Sequence, residues 1–349
     1  MLENGYRWTL DLLDPAGGAP ERFPLGDRID WEPAAECVRW AAVRSGDYSP
    51  QEAWAAPATV EPIGSRRLGE PYASGFRVSL GANGKGEFSR AFPILYFKGL
   101  AEECAIPWVQ SGRLGDQDRF RYLISTFRGD ERSATAAKKR ASIRSLPPVL
   151  TIEEQAVQND LGTEDVGPVD AADPPVTIPR HVLRQASEQA LSSPEKETGG
   201  FLLGRFHRHS AARDVVTTVT GYLPARAEGT TTRLSFTPEC WMVARSAMAL
   251  RGSTEALVGW VHSHLVDTLC RGCDEERRRV CPLASGFFSD HDRSVQRVAF
   301  PRAYQVALVV NLSGGKTTHS CFGWRDGAIA ARGFHILREQ GEQRCPEPE

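Results

Sequence analysis

Three apolar runs confine the second half of this chain to a narrow set of folds. Residues 200–204 (GFLLG), 257–264 (LVGWVHSH) and 304–311 (YQVALVVN) are almost unbroken by polar positions. Runs of that length, without alternation and too short for helices, are expected as buried strands. Around them lie segments with helical spacing, 179–192 and 238–250. In the first, Val182, Leu183, Ala186 and Ala190 fall on one face. Further strands are expected at 215–222 and at 320–325, the latter closing the series. Strands interleaved with helices make this half α/β.

The first half is patterned differently. Residues 6–13 alternate as in a strand, and 14–18 (DPAGG) carry a turn signal. Residues 32–45 have helical spacing, with Pro33 in the first turn, where its missing N–H costs nothing. Strands are expected at 76–80 and 91–97. Trp8, Trp31, Trp40, Trp54 and Trp108 supply rings for a core. Residues 1–128 therefore predict a separate α+β domain; they contain no catalytic constellation, and their role is open between substrate capture, partner binding and autoinhibition. From 129 to 176 the composition turns Ala/Ser/Lys/Arg-rich, then acidic and rich in Pro, Ala and Gly. Such a segment buries little and predicts a linker, with a short helix near 152–157. The second domain is expected over 177–338, with 339–349 as a tail.

Composition bounds the function classes. A length of 349 residues suggests two domains. A formal net charge of −2 argues against a nucleic-acid partner bound through overall charge. No apolar run is long enough to span a membrane, and the N-terminus lacks the basic and apolar regions of a secretion signal, so no membrane partner and a cytoplasmic location are expected. The 8 cysteines, spread over so long a chain, do not suggest a disulfide scaffold.

The chemistry concentrates at the end of one buried strand. His262 and His264 are two apart, so their imidazoles point the same way and can share one ion. Downstream, 289–299 has helical character, and Ser289 and Asp292, three apart, can address the same point. Two imidazoles and one carboxylate leave a tetrahedral position open for water, as in hydrolytic zinc sites. Glu197, just ahead of the run at 200–204, stands where a general base is needed. Each piece alone has an ordinary explanation. His207 and His209 form a second His-x-His in a polar stretch and read as ordinary surface or core histidines, and Ser-x-x-Asp is a common helix N-cap. The ordered combination is far more specific than any of its parts.

Glu197 with Gly199-Gly200-Phe-Leu-Leu-Gly204, then His262-Ser-His264, then Ser289-x-x-Asp292, resemble the signature of the JAMM (MPN+/JAB-domain) zinc metalloproteases, prokaryotic type, over about residues 176–338. The resemblance implies a cytidine-deaminase-like mixed sheet flanked by helices. It also implies zinc-dependent cleavage after the C-terminal glycines of a ubiquitin-like protein, in deconjugation or precursor processing. On that basis His262, His264 and Asp292 would bind zinc, Glu197 would be the base, and Ser289 would support the oxyanion. Ubiquitin-like conjugates and E1/E2-like enzymes become the expected partners. Two alternatives stay open: a non-catalytic scaffold of the same fold, and a hydrolase acting on a sulfur-carrier protein.

Two departures stand out. Leu265 follows the second histidine where the family usually has proline, and Ser289 lies 25 positions after His264 where the family's spacer is much shorter. The extra chain, 266–286, holds Cys270, Cys273 and Cys281. These three thiols suggest a second, structural zinc that braces an insertion too polar to fold on its own burial. Cys240, Cys321, His291, His319 and Asp267 are the candidates for its fourth ligand. Some eukaryotic members of the family brace a corresponding insertion similarly, and a recognition or lid role follows for the segment.

Overall fold

The computed structural model describes residues 6–64, 72–81, 86–115, 118–128, 148–155, 163–209, 214–252, 254–274, 276–277, 281 and 286–337. The chain forms two compact units. One comprises Met1–Val43, Asp47–Pro148 and Asp326–Ala328; the other comprises Arg44–Gly46, Val149–Arg325 and Ile329–Glu349.

The first unit is built on an antiparallel sheet. Strands β1 (Tyr6–Leu13), β2 (Glu21–Pro24), β3 (Ala58–Gly64), β4 (Tyr72–Leu80), β5 (Phe88–Pro93) and β6 (Arg121–Arg128) run in the order β2-β1-β6-β4-β3, with β5 also on β4. Three helices accompany it: α1 (Glu32–Ser45), α2 (Pro50–Ala55) and α3 (Lys98–Gln110). Its core is aromatic, with the rings of Trp8, Trp31, Phe76 and Phe97 packed at tilted or edge-on angles. The strand expected over 91–97 stops at Pro93, and Ile94–Phe97 turn as a 3-10 helix. Proline cannot donate to the ladder, so pairing ends there.

The second unit is mixed α/β, and its ten-stranded sheet recruits more of the chain than its patterning suggests. Strands β7 (Ile152–Gln155), β8 (Thr163–Val166) and β9 (Val176–Pro179) come first, followed by helix α4 (Arg180–Leu191). Then come β10 (Gly199–His209), β11 (Asp214–Pro224), the short pair β12 (Glu228–Gly229) and β13 (Leu234–Ser235), and helix α5 (Pro238–Arg251). β14 (Ala256–Leu265), α6 (Val266–Leu269), α7 (Asp290–Ala299) and β15 (Val306–Ser313) follow. β16 (Lys316–Arg325), β17 (Ala328–Arg332) and β18 (Phe334–Leu337) complete the unit. The sheet order is β17-β16-β15-β14-β10-β11-β9-β18-β8, with β7 also on β10. The strand at 320–325 is thus not the last of the series.

The expected linker needs the same correction. Within 129–176 the described residues include three strands of this sheet, and Ile152–Gln155 is a strand rather than part of a helix. These short strands, two of them polar, gain order from edges of the sheet. β14 pairs with residues 199–204 of β10, leaving 206–209 of the same strand for β7. Across that pairing Glu153 faces His207 at 3.6 Å and Glu154 faces Arg208 at 3.4 Å. His207 therefore serves a strand contact. The acidic stretch is held by Asp173, buried between Arg325, whose Nε donates at 2.8 Å, and Arg332 at 3.5 Å. Local composition underestimates such a segment because its partners lie far along the chain. The parts of the expected linker at 129–147 and 156–162, much of the insertion, and the tail at 339–349 lie outside the described residues. Among the described residues no helix is long and apolar enough to cross a membrane.

Candidate functional site

β14 is central, parallel to β15 and antiparallel to β10, and it is buried at nearly every position. Alternation along it puts Trp260, His262 and His264 on one face. That face is apolar around Trp260, which packs with Phe201, Phe288, Phe300, Ala307 and Val309. The polar residues at the end of the strand are therefore wrapped in hydrocarbon. Trp260 stacks on His262 with ring centroids 4.5 Å apart, and Phe287 stacks on His264 at 4.4 Å.

Asp292 arrives from α7. The helix begins at Ser289, an N-cap whose Oγ accepts from the Asp292 backbone N–H at 3.1 Å. Asp292 Oδ2 in turn accepts from the Ser289 backbone N–H at 2.8 Å and from its hydroxyl at 2.7 Å. Ser-x-x-Asp is thus a helix N-cap. One reciprocal capping arrangement starts the helix and aims a carboxylate at the strand end. Asp292 Oδ1 lies 3.3 Å from His262 Nε2, Oδ2 lies 3.3 Å from His264 Nε2, and the two nitrogens are 3.0 Å apart. All three residues are buried, and their ligand atoms lie within 4.8 Å of one another, a group that could hold a metal ion.

Electrostatics fit the same use. Burial pushes the His264 imidazole below its ordinary pKa, against the pull of Asp292, so the ring is biased to the neutral form. For Asp292 burial acts upward, but the His262 charge and hydrogen bonds from His262, His264 and Ser289 outweigh it and hold the carboxyl far below the usual range. A neutral imidazole and an ionised carboxylate are the states in which these side chains ligate metals.

Glu197 is placed by the strand entry. Its backbone N–H donates to the Thr230 carbonyl at 2.7 Å, and the next residue, Thr198, is tied to Ser263 by two 2.8 Å hydrogen bonds. Gly199 then pairs with His262, and a Cβ there would lie 2.1 Å from the Val261 carbonyl oxygen, so only glycine allows this approach. Glu197 is buried, and its Oε2 has no hydrogen-bond partner among the described residues. Burial, reinforced by the negative charge of Asp292, pushes its carboxyl up to about 8.

Two residues outside the ligand and base set, Ser263 and Gln296, frame the site. Ser263 points away from the histidines and ties β14 to the residue after Glu197. Gln296, fully buried on α7, accepts from Trp260 Nε1 at 2.7 Å and donates to the Phe300 and Gln305 carbonyls. It locks the helix that carries Asp292 to the strand that carries the histidines. Its one sequence signal is a polar residue on the inward face of an amphipathic helix.

The cysteines of the insertion also converge. Cys270, Cys273 and Cys281 form a second group that could hold a metal, with the Cys270 and Cys281 sulfurs 3.8 Å apart. Burial and the neighbouring thiols push Cys270 up to about 11. None of the five residues suggested as a fourth ligand belongs to this group among the described residues. Asp267 accepts from Ser313 and Gly314, His291 contacts the Leu234 carbonyl, and His319 contacts Ser187. Cys240 sits in the apolar core around Trp260, and Cys321 is buried on β16.

No family model and no curated protein matches the sequence. Among solved structures, this chain is similar to protein DSY2949 from Desulfitobacterium hafniense, a solution structure 18% identical to it; the match covers 48% of this chain and 95% of that one, with a TM-score of 0.34.

Proposed function

We propose that the second unit is a zinc-dependent isopeptidase or peptidase of the JAMM type, cleaving after the C-terminal glycines of a ubiquitin-like protein. The observation that carries this reading is the convergence of His262, His264 and Asp292 in a buried site, with the unpartnered carboxyl of Glu197 close enough to feel Asp292. The donor chemistry favours zinc: two imidazole nitrogens and a carboxylate oxygen suit it, whereas calcium and magnesium prefer all-oxygen shells. Bound there, zinc would supply Lewis acidity toward a scissile carbonyl and an attacking water.

The chain's own residues supply the rest. Glu197, with a carboxyl near neutrality, accepts a proton from the attacking water and returns it to the departing amine. The Ser289 hydroxyl gives its hydrogen to Asp292 Oδ2 in this structure. Once that oxygen serves a cation, the hydroxyl is free to donate to the substrate carbonyl oxygen as charge develops on it. Phe287 and Trp260 exclude water from the imidazoles, which strengthens each polar interaction. Cys270, Cys273 and Cys281 would hold a second, structural zinc and so brace the insertion.

Zinc per chain, measured on purified protein, tests the reading. Wild type should carry two ions and His262→Ala/His264→Ala one. Hydrolysis of a ubiquitin-like fusion after its terminal glycines should be lost in Glu197→Ala, and a sulfur-carrier fusion run in parallel tells the two substrate classes apart. An unchanged zinc count on losing the histidine pair would overturn the catalytic assignment and leave the scaffold explanation.

A further inference from the structure

The hairpin of β12 and β13 is too small to hold its own place. Its strands are two residues each and form a sheet of their own, pairing Glu228 with Ser235 and Gly229 with Leu234. A lone two-stranded hairpin is marginal in water, so its position depends on what it is tied to. Two ties run to the segment that carries the candidate base. Just ahead of the hairpin the Ala225 N–H donates to the Gly199 carbonyl at 2.9 Å, and at its turn the Thr230 carbonyl accepts from the Glu197 N–H at 2.7 Å. A Cβ on Gly229 would lie 2.0 Å from the Glu197 carbonyl oxygen, so the hairpin runs against the backbone of Glu197 itself.

A third tie comes from α7. His291 Nε2 lies 2.9 Å from the carbonyl oxygen of Leu234, whose side chain is buried. A carbonyl oxygen can only accept, so the imidazole is the donor. The ring has no part in starting α7, because Ser289 and Asp292 cap that helix reciprocally. It also stands outside the group formed by His262, His264 and Asp292. His291 and Asp292 are neighbours in the first turn of α7. One turn of helix therefore aims a carboxylate at the histidines and, through the hairpin, reaches the backbone of Glu197.

We propose that His291 is a positioning residue: its hydrogen bond to Leu234 holds the hairpin where Thr230 fixes the Glu197 backbone, and so sets where the Glu197 carboxyl stands relative to Asp292. That this carboxyl acts as a base rests on the function proposed above; its placement does not.

Amide hydrogen exchange, followed by NMR in the metal-free full chain, tests the placement without any substrate. His291→Ala removes the donor, and a hydrogen bond of this kind changes the population of an opened state by about 2–10-fold. Exchange at the Glu197 amide should accelerate by that factor, while the slowest amides of β14 and β15 keep their wild-type rates. His291→Gln keeps an N–H at similar reach and should restore the protection. In zinc-loaded protein cleaving a ubiquitin-like fusion, His291→Ala should lower kcat by a comparable factor and leave KM and the zinc count alone, and His291→Gln should recover the rate. An unchanged Glu197 amide or kcat in His291→Ala, equal acceleration throughout β14 and β15, or no recovery in His291→Gln overturns the proposal. Wild type that cleaves no such fusion, with the exchange pattern as expected, overturns the base assignment and leaves the placement standing.

Discussion

The burial of Glu197 without a partner has a consequence that can be measured with no substrate at all. In the unfolded chain a glutamate loses its proton near pH 4.5, whereas in the metal-free fold Glu197 keeps it to about pH 8. Between those values this carboxyl binds its proton in the folded state and not in the unfolded one, so its contribution to stability falls as pH rises. The slope is about 1.4 kcal/mol per pH unit, which accumulates to about 3 kcal/mol at pH 7 and levels off above pH 8. Glu197→Gln keeps the shape and removes the charge. In the presence of a chelator it should match wild type near pH 4.5 and exceed it by about 3 kcal/mol at neutral pH. Urea unfolding of both proteins at pH 4.5, 6, 7 and 8 measures the difference, and titration of His264 and Asp292, common to both, cancels. A gap independent of pH, or one that narrows as pH rises, would refute the placement of an unpaired carboxyl beside Asp292. Loss of stability at a residue the chemistry needs is the expected signature of a functional group.

Two further substitutions probe the frame of the site. Gly286 ends the insertion with φ at 89°, and a Cβ there would lie 2.0 Å from Ser320 Oγ, the hydroxyl bound by Asn311. Gly286→Ala should cost about 1–3 kcal/mol from backbone strain alone, with weakened zinc binding, both read from a melt with and without zinc. Gln296→Leu strands the Trp260 indole N–H, removes a donor from the Gln305 carbonyl, and leaves the Phe300 carbonyl with the Trp324 indole alone. It should destabilise the metal-free protein by about 2–4 kcal/mol in urea unfolding, and a loss below 0.5 kcal/mol would mean that the network does not hold α7 to β14.

The patterning of the chain was most legible where burial is locally encoded. The runs at 200–204, 257–264 and 304–311 lie in β10, β14 and β15, and the helix expected at 32–45 is α1. An unbroken apolar stretch has few ways to leave water, so its state follows from its own composition. The site was legible for a related reason: His262 and His264 sit two apart on a strand, and Ser289 caps the helix that carries Asp292. Both relations are periodicities of regular structure, set within a few residues.

The edges of the sheet were another matter. β7, β8 and β9 come from a stretch whose composition reads as solvated, and they exist because β10, β18 and β11 offer unpaired backbone and because Asp173 finds Arg325 and Arg332. The same holds inside the site. That Ser263 ties down the residue after Glu197, that Gln296 joins helix to strand, and that Asn311 pairs with His264 are juxtapositions of residues 36 to 65 positions apart. Local pattern along the chain sets which residues seek the interior and which donors share a strand or a helix turn. Tertiary structure alone decided which edges would be filled and which polar atoms would meet, because a buried hydrogen bond depends on partners that strand pairing brings together from distant parts of the chain.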